Sequence, residues 1–444
     1  MAGMFTRLLR LTRRSAAIHK ESGSLRSAAA FFLKSFVVKA RAGLLHASSL
    51  LRLFLPRTRS RTRQRLDRLR DHNKIIVCVS VSGGLGDLVV AGRFLRDLQR
   101  EVEPFCFDVF CASPSLVEWI FRDIKGFEQA FPDSLESFAA KEYDLSLRIN
   151  QAVSFRKELL RWNRLKVAPK LLNSLRLIGK FNAPDNFGTY IKYHPKLDNG
   201  LARKAVFLGH SRRLLLQNMA GVDYGGDSYP ISYDTKVLSR FGLEKHAFIT
   251  IHNGFDTNFI VTGSRATKCY PHFYRVVQGI KAAQPNLRVV QVGGTTSEPI
   301  PGVDLNLIGQ TDLKEVAGLL RFTALHLDNE GGLVHLAACY GRRSLVVFGP
   351  TPSDYFGYPE NINVDPQICG GCWWIDDLWM SRCPRGIGKP ECLETQSPEK
   401  IIDFAIRALA DSSVLTMGQH ASAHTLDLAR DAELDKKLNY SFPR

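Results

Sequence analysis

Three groups of residues in this 444-residue chain have the types and spacing to do chemistry. The first lies between Ala324 and Asp354. There Glu330-Gly331-Gly332 opens the helix-like run Leu333–Tyr340, with His335 one turn in. Glycines at a helix start leave the backbone N–H groups of Gly331, Gly332 and Leu333 open, and the helix dipole favours an anion beside them. That is phosphate-binding chemistry, flanked by an acid and an imidazole. The bland reading of His335 is a packed structural histidine. The second group is Gly83-Gly84-Leu85-Gly86-Asp87, a tight turn carrying a carboxylate. Asp87 is either an ordinary first-turn acid of a helix or a general base aimed out of the turn. Gly84 and Gly86 do not complete a dinucleotide fingerprint, because Val89 stands where the third glycine belongs, so nicotinamide or flavin chemistry is disfavoured. The third group is Cys369-x2-Cys372-x10-Cys383-x8-Cys392. That spacing suits a tetrahedral structural zinc or iron with no open position for catalysis. Free thiols, or a disulfide in an oxidising compartment, are the other readings. Trp373, Trp374 and Trp379 read as an exposed aromatic knob for an oligomer or acceptor contact, or as packing against the second domain.

The elements that must position these groups follow from periodicity. Lys74–Ser82 is a near-continuous apolar strand of the kind a parallel sheet buries on both faces. A helix follows from Asp87 to about Glu101, with Leu88, Ala91, Leu95 and Leu98 on one face. Strand Phe105–Cys111, helix Ser115–Phe121 and strand Tyr143–Ile149 complete a βαβαβ pattern. Lys157–Lys180 and Leu201–Met219 read as helical, and Gly225–Pro230 as a linker. A second series follows: strand Ala247–His252, loop Asn253–Lys268, helix His272–Gln284, strand Arg288–Val292 and helix Asp312–Leu320. Strand Ala324–Leu327, the glycine turn, strand Ser344–Phe348 and helix Ser397–Leu409 end it. The expected fold class is α/β: two Rossmann-like doubly wound domains facing across a cleft, the GT-B layout. The expected division is a basic helical extension over 1–70, a first domain over 71–230, a second over 231–411 containing the cysteine finger 369–392, and a polar tail over 412–444.

The charge is unevenly spread. Net charge is +17, but residues 1–70 hold 17 Lys and Arg against Glu21 and Asp67, leaving 43 basic and 41 acidic side chains in the rest. The nearly neutral body argues against nucleic acid as a partner. The extension interleaves apolar clusters with arginines, seven of them between Arg57 and Arg70, which reads as basic amphipathic helices on an anionic membrane surface or as a solvated arm. Its Arg-rich, Ser-rich, acid-poor composition also fits a mitochondrial transit peptide. The apolar runs Ala28–Leu33 and Leu50–Leu55 are short and broken by Lys34 and Arg52, so neither a secretory signal nor a membrane span is expected. Cys78, Cys106, Cys111, Cys269 and Cys339 sit among apolar residues and read as small buried hydrophobes in a reducing, cytoplasmic setting.

From Lys74 to Leu409 the chain resembles glycosyltransferase family 9, the bacterial ADP-heptose transferases that build lipopolysaccharide core. The resemblance rests on an ordered set: Gly84-Leu85-Gly86-Asp87, I-H-N-G-F-D at Ile251–Asp256, Lys268 before Tyr270-Pro271, and Q-V-G-G at Gln291–Gly294. It continues with L-I-G-Q-T-D-L at Leu307–Leu313, E-G-G-L-V-H-L-A-A at Glu330–Ala338 and F-G-P-T at Phe348–Thr351. It implies inverting transfer of heptose from ADP-heptose, with Asp87 as base and Gly84 and Gly86 at the acceptor turn. It implies Lys268 as clamp on the diphosphate, helped by Thr262, Ser264 or Thr267. It places Glu330, Gly331, Gly332, Leu333, His335 and Thr351 on the donor side. Glu330 stands where many relatives carry Asp, and Asp328 is the competing acid. Some members hold iron in cysteines after the F-G-P-T loop. The bacterial resemblance disfavours the transit-peptide reading and implies a cytoplasmic enzyme on the inner membrane surface, its acceptor a lipid-linked or surface glycan, with oligomers allowed. The alternatives are another donor such as a UDP-hexose, a protein acceptor, or a non-catalytic nucleic-acid-binding protein with a metal ribbon.

Overall fold

The apolar run after Lys74 forms β1 (Ile75–Val81), buried almost throughout, as a strand covered on both faces must be. The computed structural model describes residues 64–67, 69, 74–183, 197–255, 265–295, 297–376 and 378–418. β1 is the centre of a five-stranded sheet ordered β3-β2-β1-β4-β5, with β2 (Phe105–Cys111), β3 (Phe127–Pro132), β4 (Leu145–Ile149) and β5 (Val153–Phe155). The first four strands are parallel and β5 runs antiparallel to β4. Between them lie α1 (Leu85–Glu101) and α2 (Pro114–Phe121), and beyond them α3 (Pro169–Phe181), α4 (Leu197–Phe207) and α5 (Leu215–Ala220).

The second sheet is wholly parallel and ordered β11-β10-β9-β6-β7-β8. Its strands are β6 (Phe248–Ile251), β7 (Arg288–Gln291), β8 (Leu305–Asn306), β9 (His326–Asn329), β10 (Ser344–Val347) and β11 (Ile362–Val364). Its longer helices are α6 (Phe273–Ala283), α7 (Leu313–Phe322), α8 (Gly332–Cys339) and α9 (Pro398–Gly418). Asp312 caps α7 in a reciprocal box with Glu315, which satisfies the N–H groups of Asp312, Lys314 and Glu315. In each sheet the chain starts in the middle and winds both ways. The strand order therefore reverses between β1 and β4, and again between β6 and β9. Open α/β sheets bind ligands at the carboxyl ends of such strands.

Several expectations need correction. Helix α1 buries Val89, Val90 and Arg93 as well as its expected apolar face, because α8 of the second half packs on its other side. The helix expected over Leu201–Met219 is two helices, broken where Gly209 takes a left-handed φ of 76°. α9 runs nine residues past the expected end at Leu409, to Gly418. The short strands β3, β5, β8 and β11 were not foreseen. Trp373 and Trp379 are buried beside the aromatic rings of Tyr355 and Phe356 and of Trp374, so the knob is a packed core piece and not an exposed contact. Of the basic extension, nearly all lies outside the described residues. Its end, however, docks: Leu66 is buried with Ile76, Cys78 and Phe110, and Arg65 pairs with the buried Asp108. Residues 419–444 of the tail lie outside the described residues. The five scattered cysteines are buried, as expected. One hydrophobic cluster runs through both halves, from Val77 and Phe107 to Val334, Val346 and Tyr355.

Candidate active site

Asp87 sits at the first sheet's reversal point, one residue beyond the close-packed Gly86. Gly83 adopts φ 125°, and a Cβ there would lie 2.2 Å from Asp87 Oδ2, so only glycine fits. The backbone N–H of Gly84 donates to Asp87 Oδ2 at 3.1 Å, which is the helix-start role. The other oxygen, Oδ1, accepts from the Arg212 guanidinium at 2.8 Å and from Gln151 Nε2 at 3.0 Å. Gln151 comes from the loop after β4, the other strand of the reversal point. Arg212 is buried and also donates to the Asn150 carbonyl at 2.9 Å. Asp87 therefore closes the helix start, and its carboxylate is oriented by three N–H donors.

The second half delivers its groups to the same place. β9 ends at Asn329, two residues later than the apolar pattern suggested. That puts Asp328 inside the sheet, where Oδ1 meets His252 Nδ1 at 2.8 Å and Oδ2 meets His326 Nε2 at 3.3 Å. Burial pushes the Asp328 carboxyl up, but His252 and His326 outweigh it and hold the pKa below its ordinary value. Glu330, next beyond the strand, faces Lys268 with Oε2 at 3.4 Å from Nζ. Of the two candidate acids, Asp328 is committed internally and Glu330 faces the ammonium. Burial lowers the Lys268 pKa, but Glu330, Cys269 and Asp328 reverse this and raise it on balance.

Helix α8 starts at Gly331 with no side chain capping it. Gly332 is so close to α1 that a Cβ would lie 2.9 Å from Leu85 Cβ and 3.2 Å from the Gly86 nitrogen. A Cβ on Gly86 would lie 2.5 Å from His335 Cδ2. The two glycines let the start of α1 and the start of α8 touch across the junction of the halves. His335 is buried, its Nε2 4.0 Å from Glu330 Oε1. Burial pushes its pKa down to about 3, with Arg93, Arg212 and Lys268 adding to the fall, so the ring is neutral.

Asp87, Gly86, Gly332, His335, Glu330 and Lys268 thus form one contiguous set, with Gly84, Gly331 and Leu333 on its turns. Other expected residues stand apart. The Thr267 hydroxyl donates to the Trp379 carbonyl and its N–H to the Met380 carbonyl at 3.0 Å, so it supports the loop and has no hydroxyl left to donate to a ligand. Thr351 is buried after β10. Thr262 and Ser264 lie outside the described residues. Sequence reasoning missed Arg212, Gln151, His252, Arg93 and Tyr358. His252 alone had a local signal, standing at the end of a strand in I-H-N-G.

The cysteine loop gives a mixed result. Burial pushes the Cys392 thiol up to about 12, and Cys369, Cys372 and Cys383 add to the rise, so the four sulfurs are neighbours. Yet among the described residues no group of three or more His, Cys, Asp or Glu is arranged to hold a metal ion. The cluster does not fit the expected site as it stands, and no chemistry is assigned to a metal there. What the loop does is buttress. Gly371 N donates to the Gly349 carbonyl at 3.0 Å and Trp373 N to the Pro350 carbonyl at 2.8 Å, fixing the loop after β10.

Two Rossmann-like sheets with their reversal points joined across a glycine-to-glycine helix contact define a GT-B architecture, the class of the sugar-nucleotide glycosyltransferases. Residues 233–370 match the model of glycosyltransferase family 9 (heptosyltransferase), and with that domain the chain is a glycosyltransferase. No curated protein matches the sequence. Among solved structures, the chain is similar to E. coli ADP-heptose lipopolysaccharide heptosyltransferase II, with 14% identity over 76% of this chain and 100% of that one at TM-score 0.47. A glycosyl transferase family 9 protein from Veillonella parvula DSM 2008 gives 13%, 76%, 98% and 0.48. The iron-containing dodecameric glycosyltransferase TibC from enterotoxigenic E. coli H10407 gives 16%, 77%, 81% and 0.48.

Proposed function

We propose that the protein is an inverting glycosyltransferase that moves a heptose from ADP-heptose to a hydroxyl of a bacterial surface glycan, with lipopolysaccharide core as the acceptor. Residues 71–230 serve the acceptor and residues 231–411 the sugar nucleotide. Asp87 takes the proton from the acceptor hydroxyl as its oxygen attacks the anomeric carbon. Lys268 and the N–H groups of Gly331, Gly332 and Leu333 stabilise the charge on the departing nucleoside diphosphate. Glu330 holds Lys268 and accepts from a sugar or ribose hydroxyl. The basic segment 1–70 draws the enzyme to anionic lipid on the cytoplasmic face of the membrane. The observation that carries the reading is the meeting of the two reversal-point crevices at the Gly86–His335 contact, with a carboxylate on one side and an ammonium beside a glycine-opened helix on the other.

A thermal-shift comparison of nucleotides tests the donor. ADP and ADP-heptose are expected to raise Tm and UDP and GDP sugars to leave it unchanged, since a ligand stabilises only the state it binds. Stabilisation by UDP sugars alone would replace the donor.

A further inference from the structure

We propose that Arg93 and Tyr358, from opposite halves of the molecule, fix His335 in one tautomer, so that its Nε2–H faces the cleft as an uncharged hydrogen-bond donor. The argument is one of hydrogen-bond direction. A guanidinium has donors only. Arg93 Nη1 donates to the Tyr358 hydroxyl oxygen at 2.7 Å. Tyr358 is buried, and among the described residues the one acceptor within hydrogen-bonding reach of its hydroxyl hydrogen is His335 Nδ1, at 2.6 Å. A buried hydroxyl without an acceptor is costly, so the hydrogen goes to Nδ1. A neutral imidazole that accepts at Nδ1 carries its proton at Nε2. Nε2, on the other edge of the ring, lies 4.0 Å from Glu330 Oε1 and beside Gly86, next to the groups proposed to hold the donor.

The surrounding groups agree. Arg93 itself is buried on α1, held by Asp227 at 3.2 Å, and reaches the His335 carbonyl at 3.4 Å. Arg213 also pairs with Asp227, at 2.6 Å, so the anchor is shared. The charged groups around the ring are Arg93 from α1, Arg212 from before α5, Lys268 from the loop before α6, and Glu330 from its own turn; Tyr358 and Cys339 are its remaining titratable neighbours. Three cations against one carboxylate disfavour a fourth positive charge. An Nε2–H donor adds a directed hydrogen bond without adding charge. Resting on the donor-side reading above, its acceptor is a diphosphate or glycosidic oxygen of the sugar nucleotide. Because Arg93 belongs to the first half and Tyr358 and His335 to the second, this polarity exists only when the halves are together. Arg93 and Tyr358 are positioning residues.

Long-range 1H–15N NMR of full-length protein with labelled histidine tests this directly, the His335 signal being identified by its loss in His335→Asn. The expected wild-type result is the Nε2–H tautomer, unchanged from pH 8 to pH 5. Tyr358→Phe is expected to give mixed tautomers and to lower kcat about tenfold, the loss that one hydrogen bond of about 1.4 kcal/mol represents. An Nδ1–H ring, or one that titrates between pH 5 and pH 8 in the wild type, overturns the proposal. So does a Tyr358→Phe protein with the tautomer unchanged. If Tyr358→Phe does not fold, the wild-type spectrum still decides. The spectrum needs no substrate, so failure of the transferase reading would show separately, as absent transfer with the tautomer intact.

Discussion

One oxygen of Asp87 is committed to the helix start and the other to Arg212 and Gln151, leaving the carboxylate fixed in direction while its side chain stays 24% exposed to the cleft. In the proposed role of base, a carboxylate held this way needs no rotamer search when the acceptor arrives, which is where orientation contributes to rate. Asp87→Asn has one acceptor oxygen, which can serve Arg212 and Gln151 or the Gly84 N–H but not both, and it cannot take a proton. Transfer is expected to fall about 1,000-fold, inside the range for loss of a general base, while the thermal shift with nucleotide remains. An initial-rate assay with sugar nucleotide and acceptor reads the first and calorimetry or dye melting the second; rates within twofold of wild type would remove Asp87 from the chemistry. The sequence carried Asp87 plainly, because a Gly-Gly-x-Gly turn after an apolar strand can hardly be anything but a strand-to-helix turn. It gave no sign of Arg212, which lies 125 residues away and stood among other basic side chains of a presumed helix.

At the scale of elements, the site depends on two helices starting at van der Waals distance. Gly86 and Gly332 permit this approach, and a methyl on either has nowhere to go. Gly86→Ala is expected to destabilise by about 1–3 kcal/mol through overpacking and to cut kcat by separating Asp87 from the donor side. Gly388→Ala, where nothing lies within 4 Å, is the control. Urea unfolding of the two variants beside wild type measures the difference; equal stability would mean that the helices slide apart freely. Element existence was legible wherever apolar runs were long. β1, β2, β6, β7 and β10 lie close to their expected places because strands buried on both faces leave little ambiguity. β9 lies two residues beyond its expected place because three of its four residues are His326, Asp328 and Asn329, polar residues that the sheet accepts only through partners far along the chain. β3, β5, β8 and β11 are edge or near-edge strands, the last three only two or three residues long, too short to show a period.

For the whole molecule, the shared core and the cross-half contacts of Arg93 make the two sheets one body with charged groups sealed at the seam. This has a consequence for acid stability. His335 has its pKa depressed to about 3 in the folded state and an ordinary value near 6.5 when unfolded. The unfolded chain therefore binds the proton first as pH falls. The contribution of His335 is full above about pH 6.5 and is lost progressively between there and about pH 3, with a slope approaching 1.4 kcal/mol per pH unit. Asp328, whose pKa is held below its ordinary value of 3.8, works in the same direction but only at still lower pH. His210 and His246 are also lowered, chiefly by burial, but both are more accessible and contribute less. Between pH 7 and pH 5 His335 alone should remove about 2 kcal/mol of unfolding free energy. His335→Asn lacks the titrating ring and retains an acceptor for Tyr358, so its stability should be correspondingly flatter over that range. Urea unfolding midpoints at pH 7, 6 and 5 measure both curves. Parallel loss in wild type and variant would mean that the ring is not held neutral at the seam, and that the cations of both halves do not converge on it.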